Sequence, residues 1–541
     1  MNQIIRNFAK GARALGWLLV GLSVFVYAQQ QEPRQAEAVQ QGLLISQNHL
    51  DIETCTVRFR TVRNIANPQG ELARELDQLA ADVARAQGAG QTSEVRRLIA
   101  KGFTRLGGQQ WTPRDEFKHG LILRTDSRVL DPAQPVVARL GQIYPAAYAP
   151  TRPFTLRVAL HAVDRSLQRL AQPGAEVKAL GSYEALNRDW MDAPFGLVVN
   201  LSGVKEGGYL LVAELLEGDQ PFHKVWAGIN VVPGYLTQRA EIERRLNALK
   251  ARENSKLSVH YPFDFADKVN LGAMEPGNYN FSAELELSRQ LLASLEAGKD
   301  PLYQATGSSK RHYLLKEANE VLPVRLYVPK HYDSRRKWPL IVALHGLGGT
   351  EESMLRRDDG LLAKLADEHG YIVVAPLGFR VNGAYGQNAE RMLDPARKRI
   401  VMLSEADVLA ALAMVRQEYQ IDDDHTYLMG HSMGGNGTWY LGAKHAMQWA
   451  AIAPIAAGGM TPQQIDLEAL RQTPVFVSHG AKDMTAPVER SRVMTARLKE
   501  LGYTCEYFEL ADGTHESIVA PAMPQIFAFF DKHKRRSAAA K

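Results

Sequence analysis

Cysteine is nearly absent: the 541 residues hold two, Cys55 and Cys505. So few thiols exclude a disulfide-stapled scaffold and any site built from paired C-x-x-C motifs, and leave either one long-range bridge or two free thiols. The H-E-x-x-H pattern of zinc hydrolases is also missing, so no metal and no cofactor is expected. Charge of one sign is not in excess. The formal net charge is +5, and Arg6, Lys10 and Arg13 would take it to +2 if the N-terminal segment is removed. That gives no basis for a nucleic-acid partner. Internal repeats are lacking too, and a content of 45% hydrophobic and 23% charged residues excludes a disordered chain or a multi-span membrane protein. At this length the chain should form about three to five folding units.

Long apolar runs are missing with one exception. A basic stretch ending at Arg13 is followed by an apolar run over 14–28, and Val26-Tyr27-Ala28 puts small residues before the polar Gln29. This layout predicts a signal peptide over 1–28, cleaved after Ala28, and export to a periplasm or beyond. The competing reading is an uncleaved anchor, although the run is slightly shorter than the roughly 18 residues a membrane span needs. With cleavage, no stable membrane insertion is expected.

The pattern then changes several times. Residues 29–145 read as a mixed helical and strand region, in which Leu72, Leu76, Leu79 and Val83 fall on one helix face and a Gly-rich turn at 88–90 predicts a helical hairpin over about 65–105. Short β-branched runs over 146–235, such as 154–160, 209–215 and 225–232, predict an antiparallel β-sandwich of immunoglobulin-like type. Residues 236–305 read as a helical connector, with helices over 237–251 and 282–297 broken at 272–277. From 306 to 535 apolar strands alternate with helices, which predicts an α/β domain with a doubly wound, mostly parallel sheet; 536–541 is a tail. The helix over 404–419 begins with Ser404-Glu-Ala-Asp407, a capping-box-like start.

The chemistry-bearing motif is Gly430-His-Ser432-Met-Gly434, placed between a strand and a helical run. A serine at that turn needs small neighbours, and the turn presents its hydroxyl while aiming the first N–H groups of the helix at a reacting carbonyl. Met433 N–H is therefore one candidate oxyanion donor, and Leu347 N–H, in the glycine-rich turn Leu344-His-Gly-Leu-Gly-Gly349, is the second. His479-Gly-Ala-Lys-Asp483 follows another apolar strand and puts Asp483 at the sheet edge; Gly513-Thr-His515 follows the last strand. Ser432, Asp483 and His515 thus come in the order nucleophile, acid, base. His345, His431 and His479 read as packing or hydrogen-bonding residues at strand ends, and Trp439 as core. The loop over 377–388 is placed to border the substrate, with Phe379 and Tyr385 either stacking on an aromatic acid or filling the loop, and Arg380 and Arg391 either binding a peptide or standing as solvated charges.

With these motifs, 310–535 resembles an α/β-hydrolase of the carboxylesterase, dienelactone-hydrolase and prolyl-oligopeptidase group; Lys482-Asp483, Pro487-Val488 and the His345-Gly346 turn are shared across its branches. With the strand-rich region ahead of it, the layout is similar to secreted esterases carrying an N-terminal immunoglobulin-like domain. The resemblance implies a serine carboxylic-ester hydrolase acting on a small-molecule ester without a cofactor. The alternative is a serine peptidase of the prolyl-oligopeptidase kind using the same three residues, whose usual β-propeller repeats are not found here.

Overall fold

The computed structural model describes residues 52–164, 171–185, 190–274, 279–392 and 394–535. The expected leader over 1–28 and tail over 536–541 lie outside the described residues. Among them, no helix is long and apolar enough to cross a membrane.

Among the described residues four helices come first: α1 (Ile52–Ala66), α2 (Gly70–Gly88), α3 (Thr92–Leu106) and α4 (Pro113–Gly120). The expected hairpin is the pair α2 and α3, which packs Leu76, Leu79 and Val83 against Val95, Ile99 and Phe103. Helix α1 completes that core with Cys55, Phe59 and Val62. Its apolar stripe is narrow and set among Arg58, Arg60, Arg63 and β-branched residues that favour helix weakly, so its pattern is faint in the sequence.

Eight strands follow: β1 (Leu121–Thr125), β2 (Val129–Leu130), β3 (Val136–Gln142), β4 (Phe154–Asp164), β5 (Gln172–Ala185), β6 (Phe195–Val199), β7 (Gly207–Glu217) and β8 (Gln220–Val231). They form a three-stranded sheet, β1-β3-β6, and a five-stranded sheet, β2-β8-β7-β4-β5. Alternate residues of both, among them Leu123, Leu140 and Leu197 from one and Leu156, Val158, Leu211 and Leu215 from the other, share one core with Phe117 and Trp190. Strands before residue 146 thus share this core with those after it.

Next come α5 (Tyr235–Ala248), α6 (Glu253–Asn270) and α7 (Phe281–Glu296). The sequence pattern anticipates the outer two. It conceals α6, because Pro262 stands inside the helix and Val259, Tyr261, Phe263 and Phe265 alternate as in a strand. These side chains are buried around more than half of the helix, and Tyr261 stacks on His312 of the α/β region that follows, with ring centroids 3.9 Å apart.

The remaining chain contains β9 (Gly307–Leu315), β10 (Glu320–Val328), β11 (Trp338–Leu344), α8 (Ser353–His369), β12 (Ile372–Pro376), α9 (Pro395–Glu418), β13 (Ile421–His431), α10 (Met433–Lys444), β14 (Ala451–Ile455), β15 (Val475–Gly480), α11 (Val488–Glu500), β16 (Cys505–Leu510) and α12 (Val519–Phe530). The sheet order is β16-β15-β14-β13-β11-β12-β10-β9. Only β10 runs against the others, pairing antiparallel with both β9 and β12. Helices α9, α10 and α11 cover one face, where Val408, Leu412, Trp439 and Leu498 meet the strands. Helices α8 and α12 cover the other through Leu362, Leu365, Met523 and Phe527. This is the α/β sheet expected from the alternation; edge strand β9, carrying Lys310, Arg311 and His312, had no apolar run to announce it.

Two local expectations change. Helix α9 starts at Pro395, capped by the Asp394 side chain, which accepts from Ala396 N–H at 3.0 Å. Ser404 and Asp407 are not its cap but lie buried mid-helix: Ser404 Oγ accepts from Tyr385 N–H at 3.0 Å, and Asp407 accepts from Phe379 N–H at 2.8 Å and from the Tyr313 hydroxyl. Burial pushes the Asp407 carboxyl up to about 6, against those hydrogen bonds. The spacing of a cap is here that of a polar network holding the loop after β12. Cys55 and Cys505 do not pair with one another: one lies in the helical core and the other on β16.

Candidate active site

Strand β13 ends at His431, and α10 begins at Met433, so Ser432 alone makes the turn. Its backbone is at φ 57°, ψ −114°, a costly conformation for a residue with a Cβ. The neighbouring glycines are steric requirements. A Cβ on Gly430 would stand 2.4 Å from the Gly434 carbonyl oxygen, and one on Gly434 would stand 2.3 Å from the Leu344 carbonyl oxygen. Ser432 N–H donates to the Ile455 carbonyl at 2.9 Å, which ties the turn to β14.

Asp483 follows β15 and His515 follows β16, and these adjacent parallel strands bring their turns together. Lys482 N–H donates to the Gly513 carbonyl at 2.8 Å. His515 then bridges the other two residues: Nε2 lies 2.8 Å from Ser432 Oγ and Nδ1 lies 2.6 Å from Asp483 Oδ2. Asp483 Oδ1 accepts from the N–H groups of Thr485 and Ala486, each at 2.8 Å, and Oδ2 also faces His479 Nε2 at 3.1 Å. Burial opposes ionisation of Asp483, but the bonds from His479 and His515 and the charge of His515 outweigh it and hold the carboxyl well below the usual carboxylate range. Asp512 and Glu516, the acids nearest His515 in sequence, pair instead with Lys482 and Arg357.

The glycine-rich turn after β11 lies against the serine, for a Cβ on Gly346 would be 3.3 Å from Ser432 Cβ. Gly348 N–H donates to Val381 and Gly349 N–H to Gly346, whereas among the described residues the N–H groups of Leu347 and Met433 donate to no carbonyl. His345 is buried with its ring nitrogens 2.7 Å from the carbonyls of Gly346 and Leu377, and burial keeps it below its ordinary pKa.

The loop residues are placed differently from the stacking role considered for them. Tyr385 is fully buried, its hydroxyl donating to the His345 carbonyl at 3.2 Å, and Phe379 is buried in the same core. Arg380 is held by Glu320 at 2.8 and 2.9 Å, and Glu320 also pairs with Lys268 of α6. Trp439 is core.

Sequence reasoning assigned His431 and His479 no more than strand-end hydrogen bonds, and missed what those bonds do. His431 Nε2–H donates to the His515 carbonyl at 2.8 Å, and Arg357 Nη1 donates to its Nδ1 at 3.3 Å. Burial first, then the neighbouring His515, pushes His431 down to about 3, so it stands neutral with its proton on Nε2. No motif signals Arg357, which reaches this place from α8. His431, His515 and Glu516 also lie close enough to resemble a metal cluster. Their ring nitrogens are already engaged and the Arg357 guanidinium stands among them, which suits a hydrogen-bonded scaffold and not a cation.

Residues 316–458 match the family model described as "Putative esterase", and residues 393–534 match "Phospholipase/Carboxylesterase". Together with the strand order and the serine turn, these matches mark this part of the chain as an α/β-hydrolase fold similar to serine esterases. Over 160 residues the chain is 26% identical to a bifunctional acetylxylan esterase/xylanase of Neocallimastix patriciarum, covering 30% of this chain and 21% of that one. Over 169 residues it is 29% identical to feruloyl esterase B of Neurospora crassa, covering 28% and 54%. The chain thus spans between a fifth and about half of the length of these relatives. Among solved structures, a thermostable esterase superposes at 17% identity and a TM-score of 0.37 over 77% of this chain and all of that one. A ferulic acid esterase of Anaeromyces mucronatus superposes at 18% identity and a TM-score of 0.34, over 41% and 88%. These superpositions are loose, and the fold stands on its own strand order. The immunoglobulin-like assignment of the strand region finds no support in them.

Proposed function

We propose that the protein is an exported serine hydrolase that cleaves carboxylic esters of small molecules through an acyl-enzyme on Ser432. The observation that carries this reading is the unbroken chain Ser432 Oγ, His515, Asp483 at 2.8 and 2.6 Å. His515 Nε2 takes the serine proton as Oγ attacks the ester carbonyl, and Asp483 holds the other ring nitrogen protonated and stabilises the imidazolium that forms. The oxyanion would receive the unpartnered N–H groups of Leu347 and Met433. Collapse of the tetrahedral adduct returns the proton from His515 to the departing alkoxide, leaving the acyl group on Ser432. Water activated by His515 then releases the acid. Export rests on the layout of residues 1–28 alone.

The test is a panel of p-nitrophenyl esters beside aminoacyl-p-nitroanilides, with Ser432→Ala as control and fluorophosphonate labelling followed by peptide mapping. Ester turnover with the adduct on Ser432 is the expected result; an adduct on another serine, or turnover confined to the anilides, overturns it. The peptidase alternative gains nothing from Arg380, whose guanidinium is committed to Glu320.

A further inference from the structure

Helix α1 is tied to the hydrolase at both ends, on opposite sides of the nucleophile. Near its start, Arg397 Nη2 donates to Glu53 Oε2 at 2.7 Å and to the Asn382 carbonyl at 2.8 Å. Near its end, Asn64 Nδ2 donates to the Met484 carbonyl at 3.2 Å. Asn382 lies in the loop after β12, and Met484 is beside Asp483 in the turn after β15. In the sheet, β13 is midway between them, two strands from each, and Ser432 stands at its end. Four strand steps span about 19 Å. The eleven residues from Glu53 to Asn64 span about 16 Å of helix, so the helix fits the gap.

Its rotation is fixed as well. Cys55, Phe59 and Val62 turn into the helical core. Glu53, Val57, Thr61 and Asn64 recur at i, i+4, i+8 and i+11 on the opposite side. The two ends of that stripe are the tethers, and its middle, Val57 and Thr61, is half-buried.

We propose that α1 roofs the entrance to Ser432, with Val57 and Thr61 as specificity-determining side chains. The site then takes compact esters, or an ester at the end of a chain, and refuses ester groups in the interior of a polymer. This rests on Ser432 being the nucleophile. Two short β-branched side chains leave space under the helix for an acyl or alcohol group, whereas a bridge held at both ends leaves no open groove along which a long chain could lie.

The full chain carrying Val57→Trp or Thr61→Trp tests this by filling the space. Relative to wild type, kcat/KM for p-nitrophenyl decanoate should fall at least ~10-fold more than for p-nitrophenyl acetate, with Ser432 still labelled by a small fluorophosphonate. A decanoate-to-acetate ratio unchanged within about twofold in both variants overturns the roof. Should both tryptophan variants misfold, Thr61→Cys decides: alkylation of the introduced thiol, followed by peptide mapping, should slow at least ~3-fold once Ser432 carries a long-chain fluorophosphonate, and an unchanged rate overturns the proposal. Hydrolysis of acetylated xylan as fast per ester as p-nitrophenyl acetate overturns the exclusion of polymers. Failure of wild-type Ser432 to label overturns the nucleophile instead, which keeps the two readings separable.

Discussion

Replacing Asp483 by asparagine changes one atom, and the structure says which way the new amide will face. Oδ1 accepts the N–H groups of Thr485 and Ala486. The amide oxygen must take that place, because an NH2 group there would oppose two backbone donors that cannot change role, whereas the imidazoles of His515 and His479 facing Oδ2 can shift their protons. The NH2 group therefore replaces Oδ2 and points at His515 Nδ1, formerly 2.6 Å away. It donates, so Nδ1 must accept and the ring proton moves to Nε2. That nitrogen faces Ser432 Oγ and now has no lone pair for the serine proton. The histidine is in place in the wrong tautomer. By analogy with the same change in serine hydrolases, Asp483→Asn should lower kcat by about 10⁴, or about 5 kcal/mol of transition-state stabilisation. Circular dichroism should stay native. Stopped-flow hydrolysis of p-nitrophenyl acetate should lose its burst, and fluorophosphonate labelling of Ser432 should slow in parallel. Activity within about tenfold of wild type would refute the reasoning, since it would mean that Asp483 does not set the tautomer of His515.

Ser432→Ala should lower ester turnover by about 10⁴ or more while leaving thermal unfolding close to wild type, because alanine keeps the Cβ at the strained turn and removes only the hydroxyl; retained turnover would point to another nucleophile. Gly434→Ala places a Cβ 2.3 Å from the Leu344 carbonyl oxygen and should cost about 1–3 kcal/mol in urea unfolding along with activity; a neutral variant would contradict the tight turn. Glu418→Ala strips the buried Arg311 of its 2.7 Å partner and should cost about 3–5 kcal/mol, read from the denaturation midpoint, since a guanidinium is left buried. For His431, the folded pKa of about 3 lies below the unfolded value of about 6.5. The unfolded state therefore binds the extra proton: the stability contribution is full above about pH 6.5 and is lost as pH falls toward 3. The stability difference between wild type and His431→Gln should shrink by about 2 kcal/mol from pH 7 to pH 5; a constant difference would show that His431 is not held neutral.

Legible in the residues alone were the parts of this protein whose physics is local. Alternating apolar strands and helices announced the sheet from β10 to β16, because inner strands such as β11, β12, β14 and β15 are buried on both faces and read as apolar runs. Glycines at 430 and 434 announced the serine turn, since no other residue fits between backbones 2.3–2.4 Å from a Cβ. The order of Ser432, Asp483 and His515 along the chain then followed from the order in which strands end at one edge. Where local patterns were ambiguous, the reading failed in instructive ways. Ser404 and Asp407 have the spacing of a helix cap, and only the burial of α9 turns them into anchors for the loop after β12. Pro262 and alternating aromatics disguise α6, whose helicity is imposed by the packing of its broad apolar face. Tyr385 is an aromatic in a loop until the tertiary structure buries it under the His345 carbonyl. The contacts that needed the fold join residues far apart in the chain or on separate elements: Arg357 to His431, His431 to the His515 carbonyl, and Glu53 and Asn64 of α1 to Arg397 and Met484. Each depends on which faces of separate elements meet, and that is settled by the burial of apolar stripes such as Cys55, Phe59 and Val62, a long-range energy with no trace in the polar residues it brings together.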